Sequence, residues 1–214
     1  MDNFNQIQTT ESGPVAEAPK KNKFPKISYN SPVVLTFAIA ALIILILDKL
    51  FNGRLVLAAF SVYRSPISFG FFIRLFGHTL GHASWAHLSG NMMLFLLLGP
   101  ILEEKYGSGR LLGMIATTAV VSGLANILFF PHVALLGASG IVFMMIVLTS
   151  AACIKGDGIP LTMILIIVIY LGAEVVSGIF ENDNISQLTH IIGGICGAVF
   201  GIALNKNTER LGAL

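Results

Sequence analysis

Four polar side chains in an otherwise apolar chain have the types and spacing for acyl transfer. His87 and Asn91 are four residues apart in Gly81-His82-Ala83-Ser84-Trp85-Ala86-His87-Leu88-Ser89-Gly90-Asn91-Met92, so a helix there would put both on one face. Ser139 sits in Gly137-Ala138-Ser139-Gly140, and His190 precedes Ile191-Ile192-Gly193-Gly194. A serine hydroxyl is a weak nucleophile until a base removes its proton, and a neutral imidazole can do so near neutral pH. Ser139 and His190 therefore form a candidate dyad. The tetrahedral intermediate needs donors for its oxyanion; the Asn91 amide, the His87 imidazole and the Ser139 backbone N–H are the available set. Gly137 and Gly140 flank the serine and give the backbone the freedom an unusual turn demands. No carboxylate stands ready as a third member, because Glu174, Glu181 and Asp183 fall in or after the fifth apolar run.

The elements that must position these groups follow from the charge pattern. Of 214 residues, 55% are hydrophobic and 11% charged, and the mean hydropathy is +0.82. Soluble domains carry about a quarter charged residues, so a water-soluble enzyme is excluded. Positions 27–47, 75–102, 111–154 and 184–205 contain no Asp, Glu, Lys or Arg. A membrane-spanning helix takes about 20 apolar residues. The gaps and one further run predict six spans: Pro32–Leu47, Ala86–Leu102, Leu111–Phe130, Gly140–Ile154, Leu161–Val176 and Leu188–Leu204. Residues 48–84 form the longest connection, and their many phenylalanines suit a segment lying at the membrane interface.

Spans two, four and six all start from the same side of the bilayer, and each carries its polar group near that start. The three clusters should share one depth, in a cavity open to that side. Gly193 and Gly197 belong to a small-residue stripe that lets another helix approach closely. Span six should present it to span four, bringing His190 to Ser139. Lys20, Lys21, Lys23 and Lys26 precede span one while Lys206 and Arg210 follow span six, which makes both termini cytoplasmic. Arg54, Arg64 and Arg74 oppose that orientation, but they occupy a long loop, where the rule weighs less. The expected organisation is a disordered cytosolic tail over 1–30, a membrane domain over 31–205 and a cytosolic C-terminal tail over 206–214.

Other chemistries find less support. The net charge of +2 does not suggest a nucleic-acid partner. Cys153 and Cys196 lie in apolar runs and suit packing. No His-Glu-x-x-His is present, so no metal is expected, and no cofactor is implied. Gly156-Asp157-Gly158 lacks the second membrane aspartate that an aspartyl protease needs. His82 and His78 suit hydrogen bonding within the loop, and Trp85 suits an interface anchor.

The three motifs together resemble those of the rhomboid family of intramembrane serine proteases. They are His-x-x-x-x-His-x-x-x-Asn over 82–91, Gly-x-Ser-Gly over 137–140 and His-x-x-Gly-x-x-x-Gly over 190–197. Their order, their roughly 50-residue separations and the six-span all-α plan are also similar. The resemblance implies a Ser139–His190 dyad, an oxyanion site at His87 and Asn91, and transmembrane protein substrates cut near the outer face beside small residues. It also implies that Phe143 packs on the catalytic imidazole, that Glu103 ties helices together near the cytosolic face, and that the chain resides in a bacterial plasma membrane. Arg74 falls where the family carries a Trp-Arg pair, with Ile73 in place of the tryptophan. The alternative is a non-catalytic relative that binds membrane clients; the presence of Ser139, His190 and Asn91 disfavours it. A small transporter would need paired charges or broken helices at mid-membrane, which the pattern lacks.

Overall fold

The computed structural model describes residues 28–152, 161, 164–165, 168–169 and 184–212, with side chains of the last segment described over 187–204. The helices are α1 (Pro32–Leu50), α2 (Arg54–Ala59), α3 (Phe69–Gly77), α4 (Trp85–Tyr106), α5 (Ser108–Phe129), α6 (Ser139–Ala152) and α7 (Asn184–Gly212). Among the described residues the only extended pairing is a single antiparallel bridge, Val62 to Leu135. Four helices are long and apolar enough to cross a membrane: α1, α4, α5 and the Gln187–Leu204 stretch of α7. The apolar α6 is shorter. The described residues thus form an all-α bundle with four such spans, against the six that the charge pattern predicts. The expected fifth span, Leu161–Val176, lies mainly outside them, as do Cys153, Asp157, Glu174, Glu181 and Asp183. Leu161, Ile164, Leu165, Val168 and Ile169 are helical and exposed.

Helix ends run past the expected spans where a buried carboxylate is satisfied by hydrogen bonds. α4 continues past Leu102 through Glu103, Glu104 and Lys105, and stops where Gly107 adopts φ +83°. Glu103 is buried, and its carboxylate accepts from the Val33 N–H at 3.0 Å, the Val34 N–H at 3.1 Å and the Ser108 hydroxyl at 2.7 Å. α1 starts with Pro32 at its first turn and has no side-chain cap from Ser31, so the end of α4 caps α1 instead. Anionic charge at a helix N-terminus is favoured by the dipole, and three donors offset the desolvation of the carboxylate. At the other end of α1, the buried Asp48 accepts from the Val56 N–H at 2.8 Å and holds α2 in place.

α6 sits at the centre. Ile141, Val142, Met144, Met145, Leu148 and Ala151 are buried, and the helix packs against α4, α5 and most extensively α7. A helix apolar all round belongs in such an interior position. α7 reaches it through the glycine stripe. A Cβ on Gly193 would meet the Gly140 carbonyl, one on Gly197 the Met144 carbonyl, and one on Gly201 the Ala151 side chain. Three close approaches, at glycines spaced four residues apart on α7, therefore pin the register of α7 against α6.

The long connection between α1 and α4 contains α2 and α3. Leu75 of α3 is buried while Phe69, Phe72, Ile73 and Phe76 are exposed, an apolar outer surface suited to the membrane interface. Past this segment the chain returns to the bundle through Thr79 to Ser84, directly before the polar cluster of α4.

Candidate active site

The start of α4 is fixed from the sequence upward. Ser84 is its N-cap, and the Ser84 hydroxyl oxygen accepts from the His87 N–H at 3.1 Å. That cap places His87 in the first turn and Asn91 one turn deeper on the same face. His82 is wholly buried, its Nδ1 donates to the Leu80 carbonyl at 3.1 Å, and its ring meets the His87 ring edge-on with centroids 5.0 Å apart. His78 is buried one turn earlier in the connection, with Nδ1 bonded to the Leu75 carbonyl at 3.1 Å. Burial lowers both imidazoles, which lie outside the spanning helices, from 6.5 to about 4, against the opposing pull of their carbonyl acceptors. Both are therefore neutral near neutral pH.

The chain leading into α6 passes directly beside this cluster. The Gly137 N–H donates to the His78 carbonyl at 2.9 Å, and Gly137 has φ +116°, a conformation closed to most side chains. A Cβ there would lie 2.7 Å from His87 Nε2 and 3.8 Å from Asn91 Nδ2, so both side chains face the backbone two residues before Ser139. The helical bond from the Val142 N–H to the Ala138 carbonyl, 2.9 Å, leaves the N–H groups of Ser139, Gly140 and Ile141 at the open end of α6. The positive end of a helix dipole adds to them. Asn91 Nδ2 is buried and has no hydrogen-bond partner among the described residues, so its donor remains available.

α7 supplies the base candidate. Phe143, one turn beyond Ser139, stacks on His190 with ring centroids 4.1 Å apart and planes 6° from parallel. A Cβ on Gly140 would lie 2.8 Å from Thr189 Cγ2 and 3.3 Å from the Thr189 carbonyl oxygen. The turn carrying Ser139 and the turn carrying His190 are thus in contact, and both side chains are half-buried.

Ser139, His190, His87, Asn91, Phe143, Gly137 and Gly140 consequently gather around the start of α6, with Gly193 and Gly197 holding α7 against it. His82 stands behind His87. Among the described residues no three His, Cys, Asp or Glu side chains are grouped to hold a metal ion. Sequence reasoning passed over two buried residues of α5: Ser122, whose Oγ lies 3.3 Å from where a Cβ on Gly140 would stand, and Asn126, bonded to the Val133 carbonyl in the chain leading to α6. An amide and a hydroxyl four apart within an apolar span were the available signal.

Comparison with known proteins identifies the family. The Rhomboid domain family model matches residues 70–207, more than half of the chain. Rhomboid protease GluP of Bacillus subtilis is 31% identical over 144 residues, covering 65% of this chain and 27% of that protein. Rhomboid-related protein 2 of Mus musculus is 31% identical over 141 residues, covering 60% of this chain and 46% of that protein. Rhomboid-related protein 1 of Caenorhabditis elegans is 32% identical over 136 residues, covering 59% of this chain and 38% of that protein. The chain spans less than half the length of these three curated relatives. With its apolar helices and a domain match that runs through all three motifs, this integral membrane protein belongs to the rhomboid family.

Proposed function

We propose that the chain is an intramembrane serine endopeptidase that cuts transmembrane segments of other membrane proteins near the non-cytoplasmic face. The observation that carries this reading is the stacking of Phe143 on His190, one helical turn from Ser139. An imidazole held at that level is oriented as a base rather than left to rotate. In this mechanism Ser139 Oγ attacks the scissile carbonyl carbon while His190 accepts the hydroxyl proton. Asn91, His87 and the N–H groups at the start of α6 stabilise the oxyanion. The intermediate then collapses: the C–N bond breaks and His190 returns its proton to the leaving amine. Water, deprotonated by His190, hydrolyses the acyl ester and regenerates the serine. Local unwinding of the substrate helix is required to expose its carbonyl, which favours segments containing Gly, Pro or polar residues.

The remaining assignments follow the same reading. The chain has six spans, its membrane domain covers 31–205, and the segments 1–30 and 206–214 face the cytoplasm of a bacterial cell. The test uses the solubilised protein and a fluorophosphonate probe, comparing wild type with Ser139→Ala and His190→Ala. Labelling of the wild type alone is expected. Equal labelling of all three, or labelling of none, overturns the enzyme reading and leaves a client-binding role.

A further inference from the structure

We infer that Asn126 is a positioning residue for Ser139, acting as a clamp on the strap of chain that leads into α6. The inference rests on the assignment of Ser139 as nucleophile. Residues 133–137 approach α6 with alternate positions tied down on one side. The Val133 carbonyl accepts from Asn126 Nδ2 at 3.0 Å. Leu135 exchanges two bonds with Val62, each 2.9 Å, and the Gly137 N–H donates to the His78 carbonyl at 2.9 Å. Asn126 Nδ2 also donates to the Val62 carbonyl at 3.3 Å. One amide thus joins both sides of the bridge, the first external connection through Val62 and the strap through Val133.

The chemistry selects the residue type. Both partners are carbonyl oxygens, so the group between them must be a double donor with no negative charge, which the Asn NH₂ provides. Asn126 is 2% exposed, in the last turn of the membrane-spanning α5, where water does not compete for those carbonyls. Freed from the clamp, the strap retains its rungs at Leu135 and Gly137 but gains slack at Val133, four residues before the left-handed turn at Gly137. Ser139 then wanders relative to His190 and the oxyanion donors. A misplacement of about 1 Å lowers rates by up to a hundredfold.

The experiment compares the whole protein with Asn126→Leu, similar in size but without donors, and with Leu111→Ala, which opens a cavity at the far end of the same helix. Work proceeds well below each melting temperature. Amide exchange at Leu135 and Gly137 is expected to rise in Asn126→Leu and not in Leu111→Ala. Fluorophosphonate labelling of Ser139 and kcat for a transmembrane substrate should fall together by roughly ten- to hundredfold in Asn126→Leu, with KM within twofold. Leu111→Ala should label at the wild-type rate despite its lower stability. Labelling of Asn126→Leu within twofold of wild type, or unchanged exchange at Leu135 and Gly137, overturns the clamp while leaving the nucleophile intact. A wild type that takes no label instead overturns the nucleophile, and the positioning role with it.

Discussion

Phe143 and His190 lie ring on ring, 4.1 Å between centroids and 6° from parallel, although 47 positions separate them in the chain. The stack ties α6 to α7 at the level of Ser139 and restricts imidazole rotation. An aromatic pair contributes about 0.5–1.5 kcal/mol beyond burial. Phe143→Leu should therefore keep the fold while lowering kcat by about three- to tenfold. Phe143→Tyr, which keeps the ring, should stay near wild type. Parallel kinetics and thermal melts check the pair; equal rates in Phe143→Leu and wild type would remove the orienting role.

Gly137 combines a positive φ with a Cβ site 2.7 Å from His87 Nε2. Gly137→Ala adds a methyl that must displace the imidazole, in a backbone conformation costing about 1–3 kcal/mol for a side chain. The expected result is loss of fluorophosphonate labelling and a lower melting temperature. Gly90, where a Cβ meets nothing within 4 Å, is the matched control. Gly90→Ala should match or exceed wild-type stability, since Ala favours helix by about 1 kcal/mol over Gly.

Glu103 holds α1 by capping Val33 and Val34. Glu103→Ala strands these N–H groups and the Ser108 hydroxyl, and each buried orphan costs about 1–3 kcal/mol. Glu103→Gln keeps one acceptor oxygen and should lose less. Melting temperature should rank wild type above Gln above Ala, while labelling of Ser139 below the melting range stays unchanged, because the cap lies at the opposite end of α4 from His87.

Burial lowers His78 and His82 from 6.5 to about 4 in the fold. The unfolded chain therefore binds these protons more tightly than the folded one. Their contribution to stability is complete above pH 6.5 and is lost as pH falls towards 4. Each histidine adds a slope of up to about 1.4 kcal/mol per pH unit across that window. Unfolding free energy in a denaturant series from pH 7 to 4 should decline accordingly, and His82→Gln should flatten part of the slope. A wild-type profile level down to pH 4 would contradict neutral burial of the pair.

The local features were legible because they depend on neighbours in sequence. Charge-free runs must leave water wherever they end up, so the start of α1 and the extents of α4 and α5 could be read within a few residues. The motifs around His87, Ser139 and His190 marked chemistry because polar groups are expensive in an apolar setting. The missed charged end of α4 has a plain cause: Glu103 looks like a span boundary until its partners at Val33 and Val34, some 70 positions away, are known.

What the sequence alone determined is therefore a membrane-embedded helical chain with three polar clusters on separate apolar runs. Only the tertiary structure decided how closely the faces of those runs approach and which loop residues lock them. The glycine stripe and the family resemblance already pointed α7 at α6 and Phe143 at His190, and the structure supplied the distances of those contacts and the strap held by Asn126, which nothing in the sequence announced. Their distances depend on how closely two helix backbones approach, and helical periodicity within one segment carries no record of its neighbour's register.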